Sequence, residues 1–111
     1  MKNLGAVFLI LALAGCVTTK YNWGPYEEGL YEYYKAPESS EEFILEMEAH
    51  VAKIKEKGGK PAPGLLAEIG TLYLERNDIK SAIKYYEYER DTWPESRPLM
   101  ESLIKNLTGD A

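Results

Sequence analysis

Cysteine and histidine, the side chains best suited to nucleophilic and acid–base chemistry near neutral pH, each occur once in this chain, as Cys16 and His50. A lone cysteine forms no internal disulfide. One thiol and one imidazole also fall short of the roughly four ligands that a zinc site takes. His50 stands at the edge of an apolar helical stripe with Glu46 four residues before it, and a packed or half-exposed histidine is the simpler reading. A nucleophilic triad would need a serine held beside it, yet Ser81, Ser96 and Ser102 lie in no motif that supplies one. Carboxylates are plentiful: Glu41, Glu42, Glu46, Glu48, Glu68, Glu75, Glu87 and Glu89. Helical spacing puts most of them on polar faces, where solvation is expected rather than a paired acid and base. Gly58-Gly59-Lys60 lacks the upstream glycine and the Ser or Thr of a phosphate loop and reads as a break between helices. No catalytic set, no metal and no cofactor is expected.

Cys16 has another chemistry open to it. Met1-Lys2-Asn3 make a short positive start, and Leu4 to Ala14 follow without a charge. That apolar run is well short of the roughly 20 residues a membrane-spanning helix needs and fits the core of a signal peptide. Leu13-Ala14-Gly15-Cys16 then match the lipobox of bacterial lipoproteins. Small residues let a signal peptidase grip the extended backbone closely, and the cysteine thiol is the nucleophile that receives diacylglycerol. The expectation is that residues 1–15 are removed and that Cys16 becomes a lipidated first residue. Val17 follows it, where Asp would favour retention in an inner membrane, so an outer membrane facing the periplasm is the expected location. Two or three acyl chains anchor stably where one does so only marginally.

Charge narrows the partners. Lys2 is the only charged residue before Cys16, so the 96 residues from Cys16 onward carry 12 basic against 18 acidic side chains. That balance argues against nucleic acid, which needs clustered Lys and Arg, and equally against electrostatic attraction to anionic lipid headgroups. Any membrane attachment is expected to come from the lipid on Cys16 and not from a basic patch. A length of 111 residues allows one domain with a modest core.

The elements that would position these side chains are helices. Residues 16–24 read as a lipidated tether and 25–111 as a single α-helical domain. Pro25 suits the first position of a helix running to about Lys35, with Glu27 and Glu28 in its first turn; Gly29 weakens it. Ser39 with Glu42 forms a capping box for a helix over about 40–57, whose apolar stripe is Phe43, Ile44, Met47, Val51 and Ile54. A third helix, about 64–76, would bury Leu65, Leu66, Ile69, Leu72 and Tyr73. Asp78 is placed to cap a fourth, about 79–92, burying Ile79, Ala82, Ile83 and Tyr86. After Pro94 a fifth, about 95–107 or starting at Pro98, carries Leu99, Met100, Leu103, Ile104 and Leu107. No stretch alternates with the two-residue period of a strand.

Residues 63–96 can be aligned with the 34-residue tetratricopeptide period. Leu66, the Ile69-Gly70 pair, Tyr73, Ala82, Tyr86 and Pro94 fall on six of its positions without a gap. Gly70 and Ala82 are small so that two helices can cross closely, and Tyr73 and Tyr86 fill the space beside the crossing. Glu89 departs from the pattern, which prefers Ala there. One such unit cannot bury its own faces, so flanking helices must cover it. The fold expected is all-α, with about five helices in one small domain and a tetratricopeptide-like hairpin at its centre.

Six aromatic residues lie within fourteen positions: Tyr21, Trp23, Tyr26, Tyr31, Tyr33 and Tyr34. Tyr and Trp join an apolar body to a polar tip and make good interface anchors. One helix face cannot hold all six, so part of the cluster is a candidate contact for a partner protein. Tyr26, Tyr31 and Tyr34 could instead cover the helical core.

Tyr21-Asn22-Trp23-Gly24-Pro25-Tyr26-Glu27, Leu30-Tyr31, Tyr33-Tyr34-Lys35, Pro63-Gly64-Leu65, Glu68-Ile69-Gly70 and Tyr73-Leu74 together resemble a family of small bacterial lipoproteins known as domain of unknown function 4810. The resemblance covers about residues 20 to 100. It implies a lipoprotein of the outer membrane or facing the periplasm, whose gene lies near one for a lipoprotein similar to the curli secretion channel. It implies a multi-lipoprotein envelope assembly and carries no catalytic residue. The expected role is a non-enzymatic interaction or assembly factor with a protein partner in the envelope. A structural subunit of a secretion or transport complex is the alternative, and an envelope enzyme or its regulator a more distant one.

Overall fold

Proline and glycine set the boundaries of the helices. The computed structural model describes residues 21–109. The described chain is all-α: α1 (Tyr26–Lys35), α2 (Ser40–Glu56), α3 (Leu65–Glu75), α4 (Ile79–Thr92) and α5 (Arg97–Thr108), with 3-10 turns over Pro37–Ser39 and Pro94–Ser96. Residues 1–20, and with them the expected signal segment and Cys16, lie outside the described residues. No helix among the described residues is long and apolar enough to cross a membrane.

The helix ends follow from local chemistry. Gly58, at φ +78°, closes α2, with its N–H bonded to the Lys55 carbonyl and the Gly59 N–H reaching back to Ile54. Such a left-handed residue satisfies the orphan carbonyls of a last turn. Asn77, at φ +63°, does the same after α3, with Asn77 N–H on Leu74 and Asp78 N–H on Tyr73. Asp78 then caps α4 as expected, its carboxylate accepting from the Ser81 N–H at 3.1 Å and the Ser81 hydroxyl at 2.8 Å. Ser39 does not cap α2. Pro37 starts a 3-10 turn that runs directly into the helix, and the Ser39 hydroxyl donates back to the Ala36 carbonyl at 2.7 Å.

Consecutive helices pack on one another, most extensively α3 on α4 and α4 on α5. The first core joins α2 to α3 through Phe43, Ile44, Met47, Val51, Leu65, Leu66, Ile69 and Leu72, with Ala62 from the connecting loop. Met47, Leu65, Leu66 and Ile69 are completely enclosed, and burial stabilises by about 1.5–3 kcal/mol for each such side chain. A second, smaller core holds Ala82, Tyr86 and Met100 between α4 and α5, flanked by Leu103, Ile104 and Leu107. Gly70 faces this region. A Cβ there would come 2.9 Å from Tyr86 Cε1 and 3.1 Å from the Ala82 carbonyl oxygen, so only glycine allows α3 and α4 to approach this closely. Gly29 plays the same part in α1, where a Cβ would lie 2.4 Å from Phe43 Cδ1. It weakens helix propensity and permits the crossing onto α2.

Two residues of the expected apolar faces point to solvent. Ile79 is 46% exposed and Leu99 62%. Each sits at the start of its helix, Ile79 first in α4 and Leu99 third in α5, where periodicity assigns a face but no neighbouring helix covers it.

The larger correction concerns Glu89, which the spacing groups with the solvated carboxylates. It is wholly buried. Its Oε2 accepts from the Gly64 N–H at 3.0 Å and from the Ser96 hydroxyl at 2.7 Å. Gly64 is held there at φ +90°, a conformation glycine adopts readily, and it caps α3. Ser96 immediately precedes α5. A single carboxylate on α4 thus fixes the start of both neighbouring helices. Trp93 reinforces it, donating its indole N–H to the Pro61 carbonyl at 2.9 Å. Replacing Glu89 by Ala strands two part-buried donors, which is expected to lower the unfolding free energy measured by urea titration by about 2–4 kcal/mol. The exposed Glu87→Ala control should stay within about 0.5 kcal/mol of the parent.

Candidate interaction surface

The aromatic opening of the domain divides between anchoring and display. Trp23 lies 5.1 Å from Tyr26 between ring centroids, and Tyr26 lies 6.0 Å from Phe43. Tyr33 packs at 6.2 Å on the other side of Phe43 and donates its hydroxyl to Glu75 Oε2 at 2.5 Å. These three half-buried rings lay α1 against the first core. Tyr21 meets Trp93 edge-on at 6.0 Å. Tyr31 is 62% exposed, with Lys35 Nζ above its ring at 5.1 Å, so it does not cover the core. The backbone of Tyr34 lies in α1.

Residues 21–25 are pinned by their own turn. The Asn22 side chain accepts from the Gly24 N–H at 2.9 Å, and Gly24 takes φ +59°. His50 is half-buried directly beneath: a Cβ on Gly24 would lie 2.5 Å from its Nδ1, and His50 Nε2 is 3.2 Å from the Asn22 carbonyl. The histidine thus works as a prop for the opening segment. Among the described residues, no three His, Cys, Asp or Glu side chains converge as a metal site.

Two hollows border this segment. One, of about 530 Å³, is lined by residues 21–24, Tyr26, Glu27 and Glu28. The other, of about 330 Å³, runs between α1 and α3, with Tyr26, Leu30, Tyr33 and Leu72 as apolar walls and Glu68, Thr71 and Glu75 at its polar rim. Both combine rings and carboxylates without a nucleophile beside a base, an arrangement suited to holding a polar or aromatic side chain of a partner.

A half-buried polar knot on the α2 side went unseen in the sequence. Glu48 Oε2 accepts from the Tyr73 hydroxyl at 3.1 Å and from the Tyr85 hydroxyl. The two rings stack at 5.7 Å. Burial, helped by the hydrogen bond to the Glu48 carboxylate, raises the Tyr85 hydroxyl far above the usual phenol range and raises Tyr73 in the same direction. Helical spacing shows only neighbours on the same helix, and these partners lie 25 and 37 residues from Glu48.

Together these features define a small all-α domain whose helices are joined by the buried Glu89 and the half-buried Glu48 and whose N-terminal aromatic segment is laid across them. The model of the family described as domain of unknown function (DUF4810) matches residues 20–103, and the chain belongs to that family. No curated protein and no solved structure matches it.

The tyrosine knot predicts an alkaline transition. Both folded-state pKa values are raised, so the folded chain holds these protons more tightly than the unfolded one. The stability this contributes is complete below about pH 10, the unfolded tyrosine value, and is lost as pH rises toward the folded values. Tyr85→Phe, measured by urea unfolding across this range, should be less stable than the parent at neutral pH and decline less steeply above about pH 10. Parallel curves for the two proteins would contradict the assignment.

Proposed function

We propose that this chain is a lipid-anchored, non-enzymatic interaction or assembly factor of the bacterial cell envelope, held at the periplasmic face of the outer membrane through Cys16. The observation that carries the reading is Leu13-Ala14-Gly15-Cys16 behind a short charged start and an uncharged apolar run. Several features of the domain agree with it. Its hollows are open and border an aromatic segment, and its carboxylates nearest to tyrosine and backbone donors are spent on holding helices together. The close approach of α3 and α4 at Gly70, Ala82 and Tyr86 is the contact that a tetratricopeptide-like hairpin requires, and such hairpins present grooves to protein segments; that step is by analogy of fold. The family resemblance implies a partner similar to the curli secretion channel. A structural subunit of an envelope secretion or transport complex is the second reading, favoured by the same aromatic segment.

The exposed Tyr31, rather than the packed Trp23 and Tyr26, is the side chain to remove when contact is tested. With a C-terminal tag and gently solubilised envelopes, the native chain is expected to bring a second lipoprotein with it, and Tyr31→Ala to bring markedly less while unfolding at the same urea concentration. A constant ratio of the two proteins would mark a structural subunit, and a variable one an adaptor. Recovery of the native chain alone would count against both. Cys16→Ser should abolish acyl labelling and release the protein from the membrane fraction.

A further inference from the structure

The acidic balance of the chain as a whole gives no reason to expect a basic patch, but the charge is unevenly laid out. Residues 27–48 carry eight glutamates and one lysine, whereas residues 53–60 carry four lysines and one glutamate. Lys53, Lys57 and Lys60 are all exposed, and they gather where the described chain begins. His50, Lys53 and Lys57 recur at three- and four-residue spacing along α2 and its C-cap, which places them on one flank, and His50 of that flank meets the Asn22 carbonyl. Lys60 Nζ stands 5.3 Å over the Trp93 ring, and Tyr21 meets the same ring edge-on. The connecting turn projects freely, with nothing within 4 Å of a Cβ placed on Gly58. Acids stand at this end as well: Glu56 in α2, Asp91, which lines a hollow with Lys55 and Lys60 and is already bonded to Arg90 at 2.9 Å, and the exposed Glu27 and Glu28, which line the hollow on the far side of Tyr21.

The chain before Tyr21 is short. Five residue steps separate Cys16 from Tyr21, and fully extended they reach at most about 18 Å. Given the lipid anchor at Cys16 put forward above, on which this inference rests, Tyr21 and the side chains around it must lie within that distance of the bilayer surface. We propose that Lys53, Lys57 and Lys60, with Trp93 and Tyr21 beside them, form a membrane-facing surface that docks on anionic phospholipid headgroups and holds the domain in one orientation. Tyr21, an exposed ring with a polar tip, suits the headgroup level, while the Trp93 indole N–H is held by the Pro61 carbonyl. Each lysine near an anionic surface raises surface affinity roughly fivefold, and the effect works within a Debye length of about 8 Å at physiological salt.

The test uses the acylated protein itself, returned from detergent to vesicles of phosphatidylcholine alone or mixed with phosphatidylglycerol. Mass spectrometry of the N-terminal peptide first reads whether Cys16 carries acyl chains. Their absence would overturn the anchor and this orientation with it. With the chains present, the reaction rate of each lysine with a water-soluble amine reagent is compared between the two vesicles. Lys57 and Lys60, with Lys53 beside them, should react clearly more slowly on the anionic surface than on phosphatidylcholine alone. Lys80, Lys84 and Lys105 should react equally on both, and high salt should erase the difference. Equal rates at Lys57 and Lys60 on the two surfaces, or equal slowing at every lysine, would overturn headgroup docking while leaving the anchor in place.

Discussion

The arrangement of this domain turns on one buried carboxylate. Glu89 reaches from α4 to the Gly64 N–H at the start of α3 and to the Ser96 hydroxyl at the start of α5. Apolar packing alone would leave those helix starts free to slide, because it is not directional. A carboxyl oxygen shared by two donors at hydrogen-bond distance is directional. Its second oxygen, Oε1, is enclosed without a hydrogen-bond donor among the described residues, so the site carries a desolvation cost that the two good bonds must offset. The position that a tetratricopeptide pattern would fill with Ala instead carries the group that ties three helices together.

Much of the architecture was legible because its punctuation is chemical. Gly58, Asn77, Asp78 and the prolines mark where helices stop and start for reasons that act within a few residues. Gly70 and Ala82 announced a close crossing because small residues at that spacing have few other uses. What stayed hidden depends on partners distant in sequence. Glu48 and Glu89 look like members of polar helix faces until Tyr73, Tyr85 and Gly64 are seen beside them. Ser39 resembles a cap by spacing, but Pro37 commits the preceding backbone to a 3-10 turn. Ile79 and Leu99 follow the apolar period and still face water, since periodicity defines a face and not what covers it.

The opening aromatic segment shows the same division. Its composition marked it as unusual, and its density of rings suggested contact with a partner. The structure shows Trp23, Tyr26 and Tyr33 engaged with the domain's own core, with Tyr31 on display. The segment and the loop before α3 meet at one end of the molecule, where a Cβ on Gly64 would lie 3.6 Å from the Trp23 ring. The part of the sequence most suggestive of outside contact is therefore also part of the scaffold.

Trp23 and Trp93 are the only tryptophans in the chain, and both sit on the loop that Glu89 clasps. Intrinsic tryptophan emission is therefore a local gauge of that clasp, since Trp93 donates to the Pro61 carbonyl on one side and accepts from the Ser96 N–H on the other. Backbone circular dichroism, in contrast, sums over every helix. The protein carries a built-in means of telling an opening of the α3 start from a loss of helix as a whole, without any label being added.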